Sequence, residues 1–189
     1  MRNEDFNIII KFLIDRLSVL SETINLNQES DLSNNFSLLC HEIISLSTNK
    51  DGYLSQVIVK RDLFPILINL MLASISFVEE TRGVSFSNIM ERCLKTLYQK
   101  EKEYSEGYDR FDQFKNAAKI CQCSPGQALL GMMIKHYLSI INMINDKSIN
   151  TCSMAKIMEK FGDLINYCFL LFGLLVEQYN INLNNIKKE

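Results

Sequence analysis

Tryptophan is absent from this 189-residue sequence, and there are only 2 Pro and 7 Gly. With so little chain punctuation, long helices are expected. Charge of one sign is also missing. Twenty Lys+Arg stand against 22 Asp+Glu, a formal charge of -2, with no block of five or six like charges. That balance argues against a nucleic-acid groove or an anionic membrane surface as the main partner. Uninterrupted apolar runs are short. The two longest, Phe64 to Val78 and Leu164 to Val176, each contain Asn and fall below the ~20 residues a bilayer needs, so no membrane span is expected. The opening Met1-Arg2-Asn3-Glu4-Asp5 is acidic and leads into an amphipathic run, unlike a secretory signal.

The six cysteines, at 40, 93, 121, 123, 152 and 168, are irregularly spaced and lie mostly in apolar helical stretches. They read as buried thiols of a reducing, cytoplasmic setting. Cys121-Gln122-Cys123 is the one close pair, and no second Cys or His pair completes a zinc set. At 47% hydrophobic residues, a chain of this length buries roughly 70% of its unfolded surface and needs no disulfide or metal staple.

Phe6, Ile9, Ile10, Leu13, Leu17 and Leu20 follow the 3.6-residue period of a helix with one buried stripe. The polar stretch Ser21 to Asn35 reads as a linker and a site of limited proteolysis. Phe36, Leu39, Cys40, Ile43 and Ile44 resume the period until the turn signal Asn49-Lys50-Asp51-Gly52. Asp62 is placed to cap a helix from Leu63 to Val78, apolar almost all round, whose first turn tolerates Pro65. Such a helix belongs in the middle of a bundle, covered either by a second subunit in a homodimer or by taking that subunit's place.

Ser85 opens a further helix with Phe86, Met90, Cys93, Leu97 and Tyr104 on its stripe, ended by Gly107. Asp109 and Asp112 open a short helix bearing Phe111, Phe114, Ala118 and Cys121. Ser124-Pro125-Gly126-Gln127 is a capping box with Pro at the first helical position, and its helix turns Leu129, Met133, His136, Ile140 and Met143 inward. Ser153 begins a last helix to about Tyr179, followed by a polar tail from Asn180. The architecture is all-α, a helical bundle: residues 1–80 as an N-terminal helical extension, 81–180 as the core, 181–189 as tail.

Asp163 and Asn166 are the strongly polar residues of the otherwise apolar Phe161 to Val176; they are three apart, and Glu159 joins their face. A carboxylate on a buried helix must be paired, hydrogen-bonded or cation-bound. One reading gives Asp163 a neutralising partner in Lys135, His136 or Arg110. Another joins Glu159 and Asp163 to the acidic helix end at Glu101 and Glu103, as oxygen ligands for Mg²⁺. Lys135 either snorkels to solvent or points at phosphate oxygens. His136 falls within the apolar stripe, the usual place of a satisfied core histidine.

The run Lys102-Glu103-Tyr104, Asp109-Arg110-Phe111, Phe114-Lys115, Ala117-Ala118, Ser124-Pro125, Gln127-Ala128-Leu129, Gly131-Met132, Lys135-His136, Glu159-Lys160, Asp163 and Ile165-Asn166-Tyr167 resembles small phage and prophage proteins. Those are similar to the MazG-like, all-α NTP pyrophosphatase superfamily, near the domain associated with nucleotide modification in phages. The resemblance covers about residues 95–177. It implies a MazG-like core acting in the cytoplasm, the host's if phage-encoded. The implied activity is hydrolysis of a nucleoside triphosphate to monophosphate and pyrophosphate by a Mg²⁺-activated water.

In that scheme Glu159, Asp163 and one of Glu101 or Glu103 hold the metal. Arg110, Lys115 and Lys135 meet phosphates, His136 lines the substrate site, and Asn166 and Tyr167 orient water or base. Asp163 matches the last position of the family's E-x-x-D pair, but Lys160 stands where the Glu belongs, and Glu159 is displaced by one. The alternative is a non-enzymatic phage interaction protein, a nucleotide-sequestering or host-factor-binding bundle in which the same residues form a structural network.

Overall fold

The computed structural model describes residues 1–23, 28–48, 52–104 and 109–182, and within them the side chains other than 28, 29, 47, 48, 52–54 and 102–104. Among the described residues all regular structure is helical, with no strand: α1 (Asn3–Ser21), α2 (Gln28–Thr48), α3 (Gly52–Ile58), a π-helical turn (Val59–Leu63), α4 (Phe64–Arg82), α5 (Phe86–Tyr104), α6 (Asp112–Cys121), α7 (Pro125–Asn145), a 3₁₀ turn (Ser148–Asn150) and α8 (Met154–Gln178). The turn at Asn49 to Asp51, Gly107 and residues 183–189 lie outside the described residues.

Helix α8 is the axis of the bundle. From Phe161 to Val176 every residue but Tyr167 is buried, beneath α1, α4, α5 and α7. Helix α4 is the second buried element and is covered within the chain by α1, α2 and α8. Phe64 stacks on Phe172 and Phe77 on Phe161 across the α4–α8 contact, at centroid separations of 3.9 and 5.1 Å. One apolar cluster runs from Phe6 to Ile181, so residues 1–80 share their core with the rest of the chain. By length and composition two helices could cross a membrane, Ser55–Arg82 and Met154–Gln178; here the bundle covers 61% and 83% of their apolar windows.

Local chemistry explains where the helices depart from the sequence reading. The polar stretch expected as a linker is helical from Gln28, because Leu32 sits four before Phe36 and extends the buried stripe Leu32, Phe36, Leu39, Ile43, Leu46 backwards by a turn. Ile44, assigned to that stripe, is exposed. Asp62 caps nothing, since the chain is helical from Gly52 through Arg82 and Asp62 pairs with Arg61 at 2.8 Å. Pro65 is what disturbs this helix. It has no N–H for the carbonyl of Arg61 and crowds it, and the preceding turn widens so that Phe64 N–H reaches Val59 O instead.

Cys121, expected on the inner face of α6, is exposed at its end, where Gln122 adopts φ 52°. Ile181, assigned to the tail, is buried, with its N–H on Val176 O at 3.0 Å. The capping box holds: Ser124 Oγ accepts from Gln127 N–H at 3.2 Å, and Gln127 Oε1 accepts from Ser124 N–H at 2.9 Å. Leu129, Met133, His136, Ile140 and Met143 all face inward on α7. Ser153 caps α8 by accepting from Lys156 N–H.

Candidate functional site

Helices α5, α6, α7 and α8 leave a cavity of about 810 Å³ between them, a size suited to a small organic ligand. Of the residues singled out from sequence, Glu101, Arg110, Lys135, His136, Glu159, Asp163, Asn166 and Tyr167 line it, joined by Lys100, Lys160, Gln113, Ser139, Leu97, Phe114, Met132 and Leu170. Their placement follows from period. Leu97 and Glu101 are four apart on α5, Met132, His136 and Ser139 recur on one face of α7, and Glu159, Asp163, Asn166 and Leu170 do so on α8.

One expected member falls elsewhere. Lys115 bonds Asp109 at 2.5 Å and Glu177 at 2.7 Å, and is absent from the cavity wall. Those same carboxylates hold the Met1 amine, Asp109 at 2.8 Å. Burial would raise the Asp109 carboxyl, but Lys115, the Met1 amine and the Phe111 N–H hold it well below the ordinary carboxylate range. Glu103 lies on the last turn of α5, and its side chain is outside the described residues.

The carboxylates of the cavity are each engaged by a cation. Asp163, 9% exposed, turns one oxygen to Lys100 Nζ at 2.8 Å and the other to His136 Nδ1 at 3.4 Å. Lys100 is the partner the sequence reading missed: among the neutralisers it named, His136 is present, Lys135 is not, and Arg110 serves Glu101. Arg110, with its side chain 5% exposed, meets Glu101 at 2.8 Å, donates to Leu97 O at 3.2 Å and lies 5.1 Å above the centre of the Phe6 ring. That anchoring makes it a wall of the cavity and withdraws its charge from a ligand. Glu159 is mostly exposed and pairs with the adjacent Lys160 at 2.7 Å. The polar ridge thus divides: Glu159 faces water, Asp163 is clamped, and Asn166 donates to Cys93 O at 2.9 Å.

Among the described residues, no three His, Cys, Asp or Glu side chains are grouped to hold a metal ion. Among the described residues, four cationic side chains, Lys100, Arg110, Lys135 and Lys160, face three carboxylates around the cavity. Lys135 is the surplus charge, exposed and in no ion pair with a described residue. The set suits an anion better than a cation.

Burial holds His136 below its ordinary pKa; Asp163 opposes this, and Lys135, Lys160 and Lys100 reinforce it. With the folded value below the unfolded one, the contribution of His136 is complete above about pH 6.5 and is lost as pH falls. Denaturation of wild type and His136→Gln between pH 7.5 and 5 should show a steeper acid loss in wild type; equal slopes would place the titration elsewhere. Asp163→Asn should destabilise the fold by about 1–2 kcal/mol with and without Mg²⁺. This is less than the 3–5 for stranding a fully buried partner, because Lys100 can swing into water. A variant at least as stable as wild type in EDTA would contradict the ion-pair assignment.

No family model, curated protein or solved structure matches the chain. The all-α bundle therefore rests on the structure itself.

Proposed function

We propose that the cavity between α5, α6, α7 and α8 binds a nucleotide through its cationic side chains without a resident metal. The observation that carries this reading is the pairing of Glu101, Glu159 and Asp163 with Arg110, Lys160 and Lys100, which leaves Lys135 for a phosphate. The wall also offers apolar surface, since Leu97, Phe114, Met132 and Leu170 stand among its charged and polar residues. A ligand that joins a phosphate to a flat, weakly polar ring is complementary to that mixture.

This reading favours binding or sequestration over hydrolysis. A second reading, a phage-type Mg²⁺-dependent pyrophosphohydrolase, is favoured by one observation: Glu101, Glu159 and Asp163 all line the same cavity. It would require those carboxylates to exchange their cationic partners for the metal. The deciding experiment is a panel of ribo- and deoxyribonucleotides, measured for binding in EDTA and for pyrophosphate release in Mg²⁺. Binding without release supports the first reading, release the second, and neither would overturn both.

A further inference from the structure

A second cavity, of about 500 Å³, opens between α5 and α8, and the Lys100–Asp163 pair stands in the wall of both cavities. Helix α5 turns Arg92, Lys95, Thr96 and Gln99 to it, residues that recur at helical spacing on one face. Helix α8 meets them with Ala155 and Gly162, whose small size leaves the room: within 4 Å, a Cβ on Gly162 would meet only the Cys93 sulfur, at 3.6 Å. The carboxylates of this wall are already engaged, Asp163 by Lys100 and Glu159 by Lys160. Arg92 and Lys95 are exposed and in no ion pair with a described residue. Like charges three apart on a helix repel each other. In a chain whose formal charge is -2, these two stand over a concavity whose wall, among the described residues, has no uncommitted carboxylate to neutralise them.

We propose that the groove between α5 and α8 is a second binding site, for a small tetrahedral oxyanion of the phosphate class, held by Arg92 and Lys95. The planar Arg92 guanidinium matches two oxygens of such an anion and the Lys95 ammonium a third. Thr96 and Gln99 stand beside them as neutral donors. The bound anion also removes the repulsion between the two cations. This site goes beyond the nucleotide reading and does not rest on it. Lys100 stays with Asp163, and Lys135, the residue given to the nucleotide phosphate, is absent from this wall. Both cations are exposed and therefore screened, so binding of about millimolar strength is expected, weakening as salt rises.

The probe is inorganic phosphate, titrated into the isotope-labelled protein at low, matched ionic strength and followed by backbone amide shifts, with chloride as the control. Shifts at Thr96, Gln99, Ala155 and Gly162 should saturate in wild type. They should saturate equally in Lys135→Gln, with a dissociation constant within about twofold. Arg92→Gln/Lys95→Gln should weaken phosphate at these amides by about tenfold or more. Both positions are exposed, so that variant should melt with wild type. Shifts that do not saturate, that chloride reproduces, or that persist in the double variant would overturn the site. Loss of the phosphate response in Lys135→Gln would put the anion in the first cavity and overturn it equally. Failure of nucleotides to bind would leave all of these outcomes unchanged, so the two readings fail separately.

Discussion

Phe111→Ala should cost the fold about 3–5 kcal/mol, the range for emptying a fully buried aromatic site. Phe111 is 0% exposed and stands edge-on to Phe6, with centroids 5.7 Å apart and planes at 88°. Both rings press on α8 where the helix has no side chain: a Cβ on Gly173 would lie 2.7 Å from Phe6 and 2.9 Å from Phe111. Gly173→Ala alone should therefore destabilise by about 1–3 kcal/mol through overpacking, despite the better helix propensity of Ala. The two changes are coupled, since removing the Phe111 ring relieves one of the two clashes and opens space into which the Phe6 ring can shift from the other. Urea denaturation of both single variants and the double variant should show a combined loss clearly smaller than the sum. Strict additivity would mean that the rings do not set the size of residue 173. Phe111 immediately follows Arg110, so the same variant should also weaken ligand binding in the cavity.

Lys135→Glu should reduce nucleotide affinity by about tenfold to a hundredfold, through loss of the cavity's uncommitted positive charge and repulsion of phosphate by the new negative one. Stability should change by less than about 0.5 kcal/mol, because Lys135 is exposed and in no ion pair with a described residue. The contrast with Asp163→Asn is diagnostic: one variant alters binding with little effect on the fold, the other alters the fold first. Titrations at two ionic strengths check the cause, since the wild-type advantage should shrink as salt rises. Unchanged affinity in Lys135→Glu would remove the phosphate role from this residue.

The all-α class was legible because apolar spacing, capping chemistry and scarce Gly and Pro agree. Ser124, Pro125 and Gln127 mark the start of α7, and Ser153 that of α8, as the structure has them. The boundaries that failed have two causes, local polarity that outweighed a single apolar residue and a proline that did not end its helix. Leu32 alone carries the first turns of α2 into the core, and the joined helix around Pro65 is possible only through a π turn that no residue pattern announces.

Most of the candidate site was legible from helix faces, since Asp163 and Asn166 are conspicuous on an apolar helix. Side-chain pairing was not, because it depends on how helices far apart in sequence are set against one another. Lys100 finds Asp163 across 63 positions. Its only signal was its place beside Glu101 in a charged helix end, and such ends usually face water. Lys115 illustrates the reverse: its basic charge fitted phosphate, and the fold gives it to Asp109 and Glu177.

In the proposed nucleotide site, cations already in the cavity, and no metal, hold the ligand. Calorimetric titration of nucleoside mono- and triphosphates into the wild-type protein, once in EDTA and once with millimolar Mg²⁺, tests it directly. Saturable binding of one ligand per chain is expected in EDTA, with an affinity that Mg²⁺ does not improve. Binding that appears only with Mg²⁺, or that tightens by tenfold or more when it is added, would contradict it.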